Sequence, residues 1–550
     1  MVDERKFDEN STNTPGHRTL RQKNGFESDI SFSRDLCRFD LKKQKHASIK
    51  KPNYAMNWHS GCPMRYDVSK GTVYCDWSDS HSLVFGATGS KKSRLIVMPT
   101  VYLLGVAGES MIISDPKAEI YNKTAGFLER NGYSIIIINI RDPNCGNAWN
   151  PFHIPYQFYK EGEFDKAYEY SSDIAYNLAL SDVSTKDPFW DYSAGDLLSG
   201  LILLLFKYCM LNHLDDDFVN INNLVRLRIK LFDDNGDCRH LWKLADQDTV
   251  IASALNGTRT APDKTKASIL CTLDEKIRFL TLSTSLMGML SNNEINLAQI
   301  RFTKTAVFLI SPDEKTTFHK IIALFIKQSY EYLIYTSFVN EYKADRFIRI
   351  NYILDEFSAL PTINDFPSMI SAARSRSIRF LLVMQSLHQL ESRYQEEAQT
   401  ILANCTNWFF LSSKELKLLE TISDLCGKDE KNKPLAPVYN LQRLNKDRGE
   451  CLILRARLKP YLSQLLDIDD YDIGFKKVQL PRRKLYELKE IVSFSSDATD
   501  NSASFNTLVP TSDDNNQSNL SSDLDDIQKK LERQFYDLFG SIEEDGTNDN

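Results

Sequence analysis

Short apolar runs, each closing on a polar or glycine-bearing turn, recur along this chain, separated by stretches whose apolar residues fall at helical spacing. Such runs read as strands buried by their neighbours, and the stretches between them as helices covering a sheet. Leu83-Val84-Phe85 follows a shorter β-prone segment, Thr72-Val73-Tyr74, and opens onto Gly86. Met111-Ile112-Ile113-Ser114 closes on Asp115-Pro116-Lys117-Ala118-Glu119, and residues 134–140, Ser-Ile-Ile-Ile-Ile-Asn-Ile, predict a strand buried on both faces. Residues 94–104 suit a helix that Pro99 kinks or ends, and 121–131 a helix ended by Gly132. Later strands at 305–310, 347–354, 378–384, 407–411 and 450–454, the last closing the series, alternate with helices at 317–338 and 415–425. Strand, helix and strand in this order predict an α/β fold with a mostly parallel sheet.

The pattern changes near Pro151. From about residue 156 to 292 the periodicity is helical, as in Ala167, Tyr170, Ile174 and Leu178, and strand candidates are scarce. So long a stretch without a strand predicts an inserted all-helical domain of about five helices rather than one crossover. It divides the core into a first part, 53–155, and a second part, 293–485. Residues 1–52 are polar with little period and predict a disordered or loosely docked arm. Residues 486–550 predict a disordered acidic tail ending in an amphipathic helix at 522–539, where Leu524, Ile527, Leu531, Phe535 and Leu538 form a stripe behind a Ser522/Asp525 capping box. That helix docks on its own body or binds a partner.

Composition refines this picture in three places. The net charge of −7 hides an asymmetry: from Ile491 onward there are thirteen acidic and three basic side chains, leaving a slightly basic body. The acidic balance therefore does not argue against a nucleic-acid partner. The ten cysteines form no Cys-x-x-Cys pair and read as reduced thiols of a cytosolic protein. The greasiest run, 197–206, is interrupted by Ser199 and Gly200 and is shorter than the about 20 residues a membrane span needs, so it reads as a buried helix. The first fifty residues, polar and charged throughout, predict no signal peptide.

The chemistry concentrates at strand ends. Residues 86–93, Gly-Ala-Thr-Gly-Ser-Lys-Lys-Ser, follow a strand and open a helix, as a phosphate-binding loop does. In that role Gly86, Ala87, Thr88, Gly89, Ser90, Lys91, Lys92, Ser93 and Arg94 cradle the phosphates, Lys92 reaches the β and γ phosphates, and Ser93 offers its hydroxyl to magnesium. Lys91 stands where the pattern has a second glycine; a side chain at a positive-φ position costs about 1–2 kcal/mol. The bland alternative is a turn that binds nothing. Asp355-Glu356 after Tyr352-Ile353-Leu354 supplies the acids of a hydrolysis site, one for a magnesium-bound water and one for the attacking water. Gln385, after the strand 378–384, either senses the γ phosphate or ties down a loop. Arg374, Arg376 and Arg379 crowd the turn before that strand, as solvated surface or as arginines lent to a neighbouring subunit's phosphoryl group.

With these residues in view, the chain resembles the type IV coupling proteins, the TraG/TraD family of conjugative ATPases, and most closely their Gram-positive branch. The resemblance spans residues 82–471 and rests on the phosphate loop, Ser114-Asp115-Pro116-Lys117, Trp149-Asn150-Pro151, Asp187-Pro188-Phe189-Trp190, Ser-Pro-Asp-Glu-Lys-Thr-Thr at 311–317, Leu354-Asp355-Glu356-Phe357, Arg374-Ser375-Arg376, Met384-Gln385-Ser386-Leu387, Asn404-Cys405 and Ile-Ser-Asp-Leu-Cys-Gly at 422–427. It implies a RecA-like P-loop NTPase with an inserted all-helical domain, using ATP and Mg2+ and assembling as a homo-hexamer. It further implies delivery of relaxase-bound single-stranded DNA to a type IV secretion channel. The residue roles it implies are Lys92 for phosphate, Ser93 and Asp355 for magnesium, Glu356 for the water and Gln385 as sensor. Lys91, and Ala118 where the family usually has glycine, depart from its pattern near the nucleotide. Many members carry amino-terminal membrane helices; here the expectation is a cytoplasmic protein, peripheral at the inner face of the membrane through other subunits. Two readings follow: an ATP-driven DNA translocase, or a nucleotide-binding, weakly or non-hydrolysing relative that docks substrates. A ring motor on double-stranded DNA fits the inserted helices less well.

Overall fold

The computed structural model describes residues 36–40, 45–48, 59–180, 187–232, 238–312, 314, 316–471, 478–484, 488–492 and 494. The acidic segment with the 522–539 stripe lies outside them.

Nine strands form the central sheet: β5 (His81–Gly86), β6 (Ser110–Ser114), β7 (Ser134–Asn139), β8 (Thr305–Ile310), β9 (Ile350–Leu354), β10 (Ile378–Met384), β11 (Cys405–Ser412), β12 (Glu450–Arg455) and β13 (Tyr461–Gln464). Their order is β13-β12-β11-β5-β10-β9-β6-β8-β7. The seven strands from β11 to β7 run parallel, while at one edge β12 pairs antiparallel with β11 and β13 antiparallel with β12. Residues 450–454 are therefore not the last strand; a hairpin partner follows. The central strands β5, β9 and β10 are buried throughout, because helices cover both faces of a parallel sheet. Strand β7 is buried only in its second half, since it lies at the edge, and there the both-faces expectation fails.

Successive side chains along each strand divide between two cores. Leu83, Phe85, Ile112, Leu309, Tyr352 and Leu382 belong to one, which continues through the helix His319–Val339 into the helical insertion. Val84, Met111, Ile113, Phe308, Ile353 and Val383 belong to the other, with the helices Met98–Ala107 and Glu119–Arg130 and a small antiparallel sheet. That sheet has the order β2-β1-β4-β3, from β1 (Leu36–Asp40), β2 (Lys45–Ser48), β3 (Pro63–Asp67) and β4 (Thr72–Asp76). Two strands thus lie in the stretch read as a disordered or loosely docked arm. Pro99 does not end its helix: it follows a π-helical turn, Ser93–Val97, and Thr100 Oγ1 donates to the Ile96 carbonyl at 2.7 Å. The wider turn accommodates a residue that has no N–H to give.

Between β7 and β8 the described residues hold eight α-helices, from His153–Lys160 to Thr284–Ser291, and no strand. This is more than the five expected, because polar turns cut the periodic stretches. Their centre is Phe189–Leu211, the one described helix long and apolar enough to cross a membrane; 72% of its most apolar window is buried inside the fold. Gly200 lets a neighbour approach closely, since a Cβ there would sit 2.7 Å from Leu255.

A strap from the C-terminal side links sheet and insertion. Gly146 N donates to Pro481 O at 2.9 Å, and the buried Arg483 reaches the Pro143 carbonyl at 3.0 Å and the Gly288 carbonyl at 3.3 Å. Farther along, Asn220 and Asn223 donate to Lys489 O at 2.9 and 3.0 Å, and Phe494 meets Tyr208 edge-on. Residues read as the start of a disordered tail are here part of the core.

Candidate nucleotide site

Parallel strands deliver their C-terminal ends to one edge of the sheet, and the candidate residues collect there. β5 ends in Gly86 and the chain turns through residues 87–92. A Cβ at Gly86 would lie 2.4 Å from Ser90 Oγ and 2.8 Å from Lys92 Cγ, so only glycine allows the turn to close this tightly. Gly89 and Lys91 both take positive φ, +75° and +67°. Lys91 therefore keeps the backbone that glycine favours, and its ammonium pairs with Asp447 Oδ1 at 3.0 Å. Asp447 belongs to the short turn Lys446–Arg448, where Lys446 Nζ donates to Gly89 O at 3.3 Å. The hydrogen bond from Lys91 holds the Asp447 carboxyl below its ordinary range.

Lys92 lies inside the loop, buried, with Nζ donating to Gly86 O at 2.8 Å and standing 3.9 Å from Glu356 Oε1. Burial pulls its pKa down, while Glu356 and Asp355 oppose that shift. Ser93 Oγ donates to Asp355 Oδ2 at 2.9 Å, and Glu356 N to Asp355 Oδ1 at 3.0 Å. Burial and then the Glu356 charge push the Asp355 carboxyl up to about 6. Gln385 Nε2 donates to both Glu356 oxygens, at 3.0 and 2.8 Å, and Thr88 Oγ1 donates to Gln385 Oε1 at 2.8 Å. Loop, β9 tip and β10 tip are thus joined through Ser93, Asp355, Glu356, Gln385 and Thr88. Glu356 sits at φ +54°, a strained conformation for a side-chain-bearing residue, of the sort found where geometry serves a site.

The residues fit a phosphate and a magnesium ion. Ser90 Oγ is buried with no hydrogen-bond partner among the described residues, and Ser93 with Asp355 forms the hydroxyl and carboxylate oxygen set that magnesium takes in phosphate loops. Arg94 is placed beside the loop, but its guanidinium is committed to Asp467, at 3.0 Å through Nε, and to Asp469. What it offers an anion is the backbone N–H of the first helical turn.

Arg374 and Arg376 are not brought to this site. They form the exposed turn before β10, at the N-terminal end of that strand, while Gln385 follows its C-terminal end. Seven residues of strand, about 20 Å, separate them. Arg379 is structural: buried, it donates to Asn351 Oδ1 at 2.8 Å, Ser60 O at 2.7 Å and Glu109 Oε2 at 3.1 Å. Two site residues escaped the sequence reading as members of the site. Asp447 carries no signal, being far along the chain; Asp115 stands in a quoted motif without a role. Asp115 is buried at the β6 tip, accepts Tyr121 N at 2.8 Å, and is pushed up to about 7 by burial.

No curated protein matches the chain in sequence. Among solved structures it is similar to the bacterial conjugative coupling protein TrwB lacking its first 70 residues. The trigonal form, with sulphate, is 14% identical over 74% of this chain and 87% of that one, TM-score 0.50. The unbound monoclinic form is 14% identical over 84% and 98%, TM-score 0.50. TrwB with ADP and Mg2+ is likewise 14% identical, over 74% and 87%, TM-score 0.49. The likeness places the fold with the RecA-like core of TrwB. A family model described as type IV secretory system conjugative DNA transfer matches residues 39–431, and the chain belongs to that family.

Proposed function

We propose that this coupling protein is an ATP-driven translocase that passes relaxase-bound single-stranded DNA to a type IV secretion channel. The observation that carries the reading is the linked set Ser93, Asp355, Glu356, Gln385 and Thr88 around Lys92. Lys92 would bind the β and γ phosphates. Ser93 and Asp355 would hold magnesium, which supplies charge neutralisation at those phosphates. Glu356, held by Gln385, would orient a water whose oxygen attacks the γ phosphorus; the water's proton leaves toward Glu356, and the bond to the β–γ bridging oxygen breaks to release ADP. Gln385, already touching Glu356 and Thr88, would report the state of the γ phosphate. Arg374 and Arg376, remote from their own site, would serve a neighbouring protomer of a homo-hexameric ring. Membrane contact would be borrowed from other secretion subunits, with the protein at the cytoplasmic face.

The second reading, a docking relative that binds nucleotide with little or no turnover, draws on Lys91 and on Ala118 at φ +56°, both strained. The loop backbone is nonetheless formed and Lys91 is paired outside it, which favours the motor. The test is steady-state ATP turnover with and without single-stranded DNA. Stimulated turnover supports the translocase; nucleotide binding without turnover supports the docking relative.

A further inference from the structure

The Ser-Asp-Pro-Lys motif at 114–117 takes no part in the proposed hydrolysis, yet the fold places it at the site's edge. β6 pairs with β9 so that Ser114 lies opposite Leu354, and the residues that follow, Asp115 and Asp355, leave the sheet side by side, about 4.8 Å apart in strand spacing. The turn that begins there is pinned from several directions. Asp115 N donates to Leu309 O at 2.9 Å, Ala118 N to Asp115 O at 3.1 Å, and Tyr121 N to the Asp115 carboxylate at 2.8 Å. Arg141, following β7, donates to the Pro116 carbonyl at 3.0 Å. Pro116 fixes its own φ, and Ala118 holds φ +56° although a residue with a Cβ is strained there.

The one side chain this turn leaves loose is Lys117. It is exposed and has no hydrogen bond or ion pair among the described residues, and its charge lies close enough to depress Lys92. A rigid turn presenting an exposed ammonium within electrostatic reach of the phosphate-loop lysine sets two like charges near one another, an arrangement prepared for an anion. On the reading that the loop binds a nucleoside triphosphate, we infer that Lys117 is a further phosphate-binding residue: from the β6 tip it contacts the γ phosphate and so distinguishes triphosphate from diphosphate.

The experiment measures equilibrium affinity of the full chain for the non-hydrolysable analogue ADPNP and for ADP, each with Mg2+, in the parent, Lys117→Ala and Lys117→Arg. The side chain is exposed, so both variants fold; matching thermal midpoints check this. Lys117→Ala should lose about tenfold in ADPNP affinity, the equivalent of a charge-assisted contact of about 1.4 kcal/mol, with ADP affinity unchanged. Lys117→Arg should restore most of it. An unchanged ADPNP-to-ADP ratio in Lys117→Ala, or an equal loss for both nucleotides, overturns the inference while leaving the nucleotide site standing. A parent that binds neither nucleotide overturns both.

Discussion

Replacing Lys91 tests whether the altered loop is strained or functional. Its φ of +67° costs a side-chain-bearing residue about 1–2 kcal/mol, a term glycine removes. Glycine also loosens the unfolded chain, returning about 0.4–1 kcal/mol in the opposite direction. The Lys91–Asp447 pair is solvent-screened, with the Asp447 side chain 74% exposed, and adds little either way. Comparing Lys91→Gly with Lys91→Ala removes the pair from both proteins and leaves only the backbone term. Lys91→Gly should then be the more stable by about 1 kcal/mol, read from urea unfolding followed at the sheet domain's tryptophans. Both variants should bind MgATP within a few-fold of the parent, because Lys92 and not Lys91 sits inside the loop. An alanine variant as stable as the glycine one would show that positive φ is no constraint at this position. Loss of nucleotide binding in Lys91→Ala would show that the phosphate lysine has been misassigned.

Three further outcomes follow from the same geometry. Ser93→Ala removes the hydroxyl that Asp355 now accepts, so the part of ATP affinity abolished by EDTA should shrink while the metal-independent part persists; calorimetry with and without magnesium reads this. His81 is buried with Nδ1 accepting Phe380 N at 3.0 Å, and burial lowers its pKa to about 4. The folded state therefore binds fewer protons than the unfolded one below pH about 6.5, and up to about 3 kcal/mol of stability present above that pH is lost as pH falls toward 4. His81→Gln should flatten that part of the profile, and an unchanged acid slope would refute the assignment. Arg483→Ala unties Pro143 and Gly288, and hydrogen exchange should accelerate in the helix Thr284–Ser291 and around Gly146 with the central strands unaffected.

Much of the fold was legible because its signals are local. β5, β9 and β10 are continuous apolar runs, and their polar ends name the loop, the acid pair and Gln385. What was illegible is tertiary. Nothing near Tyr461 announces that β12 turns back into a hairpin, since edge strands need only a few half-buried residues. Ile491 and Phe494 are two apolar residues in a Ser/Asp-rich stretch, and only the groove against Asn223 and Tyr208 shows why they are buried. Of the three arginines before β10 the sequence singles out Arg374 and Arg376 as candidates, and the neighbouring Glu109 and Asn351 show why Arg379 differs: it is buried and structural while the other two are exposed. At Lys91 the glycine pattern already implied the positive φ that the loop adopts; what the sequence does not show is the partner, Asp447, that its ammonium takes.

The most direct test of the central claim is ATP turnover of the parent and Glu356→Gln with single-stranded DNA present, alongside ATP affinity for both. The account predicts DNA-stimulated turnover in the parent, loss of turnover in Glu356→Gln, and comparable ATP affinity in the two. A parent that binds ATP without turning it over, with turnover appearing only in Lys91→Gly, would contradict the motor reading and make substrate docking the function.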